Sequence, residues 1–269
     1  MAQTLADIVQ PGARVEKIAG GFQFTEGPVL SRIGFLLFSD IPANRIMKYA
    51  LPPGRKPDLT VFRENSNAAN GLTFDHQGRL LACEGKPGRV TRTEKDGKIT
   101  TLAAQFEAQP LQRPNDLVYA IDGCIYFSDP PSGIVYCINR KGELKAATSE
   151  AAAPNGVALS PNQLVLYVAD TRQKNIRAFD IAGDGSVSSG RVVMDVRADG
   201  IKTDEEGNVY AASAGGVWVF TPGGKHLGTI ETPEQPSNCN WGSGFRGLYI
   251  TARTSVYHVP TKIPGTRTY

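Results

Sequence analysis

Six oxygen-bearing side chains, Glu26, Asn70, Asn115, Asn155, Asp199 and Asn238, recur at intervals of 39 to 45 residues, each at the head of the same short phrase. The phrases read EGPVL, NGLTF, NDLVY, NGVAL, DGIKT and NCNWG. Taken singly, Asn-Gly and Asp-Gly are common turn dipeptides, so each residue alone reads as a turn former. The shared register changes that reading. Two carboxylates brought into one narrow space repel each other and raise at least one pKa unless a cation lies between them. Carboxylate and amide oxygens without sulfur or imidazole are hard donors that suit Ca²⁺ best, with Mg²⁺ or Mn²⁺ possible and Zn²⁺ less natural. Glu26, Asn155 and Asp199 are therefore candidate metal ligands, joined by Asn115, while Asn70 and Asn238 read as pocket walls.

The three histidines, His76, His226 and His258, fall outside this register, which argues against a histidine-based metal site or a Ser-His-Asp triad. Arg113 stands two residues before Asn115, where a guanidinium with five donors is placed to meet a polar substrate. Phe24 and Trp241 flank the series, as pocket walls or as core residues. A second series, Asp40, Glu84, Asp129 and Asp170, follows 14 or 15 residues after the first. These carboxylates are expected to accept hydrogen bonds from loop backbone.

The elements that must position these residues follow from the repeat. Each phrase is an apolar strand, followed by a polar turn and a second strand, such as FLLFSD or IYFSD, ending at the second series. A third strand candidate and usually a fourth complete each unit. Four strands per 40 to 50 residues is the signature of propeller blades, whose first strands line a central tunnel. The reading is an all-β chain, a six-bladed β-propeller of four-stranded antiparallel blades forming one domain over residues 1–269. The sixth unit runs out of chain after SVYHVP. The N-terminal strand ARVEKIAGG is expected to supply its outer strand and close the ring.

Composition narrows the partners. A net charge of +3, with no run of five Lys or Arg, gives no footprint for nucleic acid. No window approaches eighteen consecutive apolar residues, and the N-terminus lacks the basic and apolar regions of an export signal, so no membrane partner is expected. Cys83, Cys124, Cys137 and Cys239 lie in apolar runs without metal spacing, as buried thiols of a cytoplasmic protein do.

The ordered set EGPV, RPND, PNGVALS and DGIKTDEEGNVY resembles the motifs of the gluconolactonase, regucalcin and senescence-marker-protein family of six-bladed propellers, over nearly the whole chain. The nearest resemblance is to bacterial sugar lactonases. The chain departs from many of them at Gly85, where they carry His, and in the sixth-unit stretch NCNWGSGF. The resemblance implies a divalent ion held by Glu26, Asn155 and Asp199, with Asn115 near metal or substrate, Arg113 on the substrate and Asp199 as catalytic base. The expected activity is metal-dependent opening of a sugar lactone, a small-molecule substrate whose hydroxyls Asn70, Asn115 and Arg113 orient. Because a carboxylate on a cation is a weakened base, a metal-bound hydroxide stands as an alternative nucleophile. A phosphotriesterase on the same site and a non-enzymatic calcium-binding or ligand-sensing propeller are the competing functions.

Overall fold

A computed structural model of the chain describes residues 3–50, 56–241 and 246–266. The part of NCNWGSGF from residue 242 to 245 lies outside the described residues. Six four-stranded antiparallel sheets are arranged as the blades of a propeller. In the first blade the strands Thr25–Leu30, Phe35–Asp40, Arg45–Ala50 and Asp58–Glu64 pair in sequence order. Burial along them explains the order, because the first two are almost wholly buried and the fourth is largely exposed. An apolar run buried on both faces belongs inside, and a charged strand belongs at the rim. The innermost strands of the next five blades are Ala69–Phe74, Leu117–Tyr119, Pro154–Leu159, Ile201–Thr203 and Pro236–Trp241.

The sixth blade closes as the sequence suggests. Its strands Pro236–Trp241, Gly247–Ala252 and Ser255–Pro260 are completed on the outer edge by Glu16–Gly20, which pairs antiparallel to Ser255–Pro260 with Glu16 opposite His258. A short helix, Leu5–Ile8, precedes that strand and plugs Ile8, fully buried, into the apolar cluster of Tyr210, Val217, Ile230 and Val259. The N-terminal segment thus covers an open edge and also packs across the fifth and sixth blades. Deleting residues 1–20 is expected to abolish a cooperative thermal melt, whereas a disposable tail would leave the melting temperature unchanged.

The phrases that look like turns are not turns. Gly71, Gly156 and Gly200 each follow a series residue and donate their N–H to a backbone carbonyl of the next blade, Asn115, Asp199 and Ser237 respectively, at 2.7–2.9 Å. At Gly27, with φ +55°, a side chain would stand 2.1 Å from the Asn70 carbonyl oxygen. Glycine is required there because adjacent blades meet backbone to backbone around the tunnel. Hydroxyls from second strands add to this seam: Ser39 donates to the Asn70 carbonyl at 2.7 Å and Ser128 to that of Asn155 at 2.6 Å.

Candidate metal and substrate site

The seam sets every series residue at the inner end of its blade. Glu26 is 4% exposed and its Oε2 accepts from the Gly27 N–H at 2.5 Å and from Asn238 Nδ2 at 3.1 Å. Its Oε1 has no hydrogen-bond partner among the described residues. Burial pushes the Glu26 carboxyl well above the usual range, and the neighbouring Asp199 and Asp116 carboxylates push it further. Asp199 is pushed up to about 6 by burial and then by Asp116, against a hydrogen bond from Asn155. Glu26, Asn155, Asp199 and Asn238 are therefore one connected group.

Two open cavities are lined by residues of the first series, one of them by members of this group. One of about 320 Å³ is lined by Asn155 and Asp199 with Phe24, Arg197 and Arg253. The other, of about 610 Å³, is lined by Asn70, Asn115 and Arg113 with Asn44, Asn67 and Lys86. Both volumes suit a small polar molecule. Arg113 is exposed, and its backbone is fixed because the Asp129 carboxylate accepts from the N–H groups of Gln112 and Arg113 at 2.8 and 3.1 Å.

The second series does this elsewhere too. Asp40 accepts from Gln23 and Phe24 N–H, and Asp170 from Ala152, Ala153, Arg172 and Gln173 N–H. Glu84 departs from the expectation. Its carboxylate is taken up by side chains, those of Arg63, Arg89, Asn67 and Thr91, because arginines on neighbouring strands reach it first. One other expectation is revised. Asn238, 1% exposed, lies beneath Glu26 instead of walling a cavity. Of the two readings open for Trp241 the core one holds, since it is 2% exposed and edge-on to Tyr210 at 4.8 Å. Phe24 does line the smaller cavity.

Two charged residues of the group escape the sequence reading. Asp116, 2% exposed, accepts from Leu117 N–H at 2.9 Å and Val157 N–H at 3.3 Å. Lys202 reaches it with Nζ at 3.2 Å from Oδ2. The signal for both was present as departures from the repeat. Asp116 stands where four other phrases carry Gly, and Lys202 stands where the other five phrases carry Val29, Thr73, Val118, Ala158 and Trp241.

Among the described residues no three His, Cys, Asp or Glu side chains form a metal cluster. The donors that converge are two carboxylates and amides, which fits a hard divalent ion. The histidines are engaged elsewhere, His76 with the Tyr119 hydroxyl and His226 stacked on Trp218.

The raised carboxyls have a consequence for stability. Asp199 binds its proton more tightly folded than unfolded, so its contribution is full below the unfolded value near 3.8 and is lost as pH rises through about 6. In chelator, the stability of the native chain minus that of Asp199→Asn is expected to fall by about 2 kcal/mol between pH 4 and pH 7. Urea melts at both pH values check this, and a flat difference would mean that the carboxyl is not desolvated.

Residues 24–254 match the model of the SMP-30/gluconolactonase/LRE-like region. The gluconolactonase of Zymomonas mobilis is 28% identical over 96% of this chain and 84% of its own length. The lactonase drp35 of Staphylococcus epidermidis is 25% identical over 77% of the chain and 69% of its own. Among solved structures, a gluconolactonase from Xanthomonas campestris superposes with a TM-score of 0.88 at 28% identity, over 96% of this chain and 94% of that one. The calcium-binding protein regucalcin from Agrobacterium tumefaciens shares the fold, with a TM-score of 0.80 at 18% identity over 96% of both chains. With the repeat, the six closed blades and the match over most of its length, the chain belongs to the SMP-30/gluconolactonase/LRE-like family.

Proposed function

We propose that this protein is a metal-dependent lactonase that opens a sugar lactone at the upper end of its tunnel. The observation that carries the reading is the buried Glu26 carboxyl under the influence of Asp199, with Asp199 and its partner Asn155 lining an open cavity, in a family whose similar members include gluconolactonase and lactonase. Glu26, Asn155 and Asp199, with Asn115, would hold one divalent ion, Ca²⁺ by donor chemistry. An ion held there would supply Lewis acidity to an ester carbonyl.

The rest falls to the chain. Glu26 is held by two donors on one oxygen, so its other oxygen keeps a fixed direction. Arg113, Asn70 and Asn115 line the larger cavity and orient the hydroxyls of the sugar ring by hydrogen bonds. Asp199, lining the smaller cavity and hydrogen-bonded by Asn155, accepts the proton of the attacking water. Return of that proton from Asp199 to the ring oxygen as the ester C–O bond breaks completes the opening to the hydroxy acid.

Four free thiols, all buried, agree with a reducing compartment, and we place the protein in the cytoplasm on that ground. No helix among the described residues is long and apolar enough to cross a membrane.

The test is hydrolysis of glucono-δ-lactone and related sugar lactones by chelator-stripped protein, before and after single additions of Ca²⁺, Mg²⁺, Mn²⁺ or Zn²⁺. Turnover restored by one ion supports the reading. Ion binding without turnover of any lactone would transfer the site to a phosphotriester or to a sensing role.

A further inference from the structure

We propose that Lys202 sets the charge of the tunnel, cancelling Asp116 so that Glu26 and Asp199 are the carboxylates left to face an ion and the site favours a divalent over a trivalent one. The inference rests on the metal reading above and assigns a role to a residue one layer below the proposed ligands.

Lys202 belongs to Ile201–Thr203, the innermost strand of the fifth blade, and its side chain is only 12% exposed. It lines a small cavity of mixed character with Val118, Ala158, Asn240 and Trp241, and an ammonium so little exposed must find partners. It finds three acceptors: the Ile201 carbonyl at 2.9 Å, Asp116 Oδ2 at 3.2 Å and Asn238 Oδ1 at 3.5 Å.

The contacts have two effects. Asp116 is committed, since Oδ2 takes Lys202 and the Val157 N–H while Oδ1 takes the Leu117 N–H. The Asn238 amide is also turned one way. Its oxygen accepts from the Cys239 N–H at 2.9 Å and from Lys202, so its nitrogen faces Glu26 Oε2. Of the three carboxylates that act on one another here, Glu26 and Asp199 remain to face an ion, with Arg197 beside Asp199 in the same cavity in every variant compared below. Without the ammonium, Asp116 becomes a third negative charge in the same low-dielectric space, and ions of higher charge gain most from it.

The experiment titrates full-length, chelator-stripped protein separately with Ca²⁺ and with Tb³⁺, by calorimetry and by Tb³⁺ luminescence. Lys202→Met keeps the stem and removes the charge. Its preference for Tb³⁺ over Ca²⁺ is expected to rise about tenfold or more, with Lys202→Arg close to the native ratio. Asp116→Asn, which leaves the lysine charge in place, is expected to move the ratio the opposite way. The double variant Asp116→Asn/Lys202→Met is expected to return it towards the native value.

A merely structural lysine would weaken both ions alike in Lys202→Met. That result, or a ratio unmoved by either single variant, overturns the inference while leaving the metal site standing. A native protein that binds neither ion overturns the metal reading and this inference together, and is told apart by the first titration.

Discussion

Glu26→Gln is expected to lower lactone hydrolysis by about a thousandfold and, in the ion-free protein at pH 7, to leave the melting temperature unchanged or raise it. The two halves have one cause. Oε2 accepts from Gly27 N–H and Asn238 Nδ2, and the glutamine carbonyl can take both bonds, so the local backbone keeps its partners. The amide nitrogen then occupies the position of Oε1, the oxygen without a partner, and offers a donor where an ion needs an acceptor. Burial and the nearby Asp199 carboxylate disfavour the Glu26 charge in the ion-free protein, so removing the ionisable group relieves that cost. Divalent-ion affinity is expected to fall with the activity. Steady-state rates, ion titration and a thermal melt in chelator test the three parts separately. Activity within tenfold of native would remove Glu26 from the machinery, and a large fall in the melting temperature would make its role structural.

The architecture was legible because a propeller repeats its constraints. Every blade must bury two inner strands and present its first residue to the tunnel, so the same residue types return at each period and N-terminal closure follows from a unit short by one strand. The blade-closing strand Glu16–Gly20 and the ring residues Glu26, Asn155 and Asp199 were readable on that basis. The reason for their glycines was not. Asn-Gly is a turn signal in a local reading, whereas Gly71 and Gly156 answer to backbone from the next blade, some 44 residues along the chain.

Asp116 and Lys202 were hidden differently. They break the repeat, and a reading that collects agreements passes over departures, although a charge on a tunnel-lining strand must have a partner across it. The capture of Glu84 by Arg63 and Arg89 depends on pairing between strands that one strand's sequence does not contain. The hairpin Gln105–Phe106 with Gln109–Pro110 and the helix Leu5–Ile8 are too short to carry a period.

Gly156→Ala is expected to cost about 4 kcal/mol and to lower the melting temperature by roughly 10 °C. The φ at this position is not positive, so backbone preference is not the issue. A β-carbon at Gly156 would stand 2.4 Å from the Asp199 carbonyl oxygen, 2.6 Å from the Ile201 nitrogen and 2.8 Å from the Gly200 Cα. All three atoms are backbone of the fifth blade, and no rotamer change can move them. The alanine can be housed only by separating the fourth and fifth blades, stretching the 2.9 Å bond from Gly156 N–H to the Asp199 carbonyl. That bond is also what sets Asn155 against Asp199, so the damage reaches the site. Ion affinity and activity are expected to fall at temperatures where the variant is still folded. Gly183 is the control, because its φ is not positive and nothing lies within 4 Å of a β-carbon built there. Gly183→Ala is expected to be neutral or slightly stabilising through the unfolded chain. If the two variants melt within 2 °C of each other, adjacent blades are not in backbone contact at the tunnel, and the account of why glycine follows the ring residues fails with it.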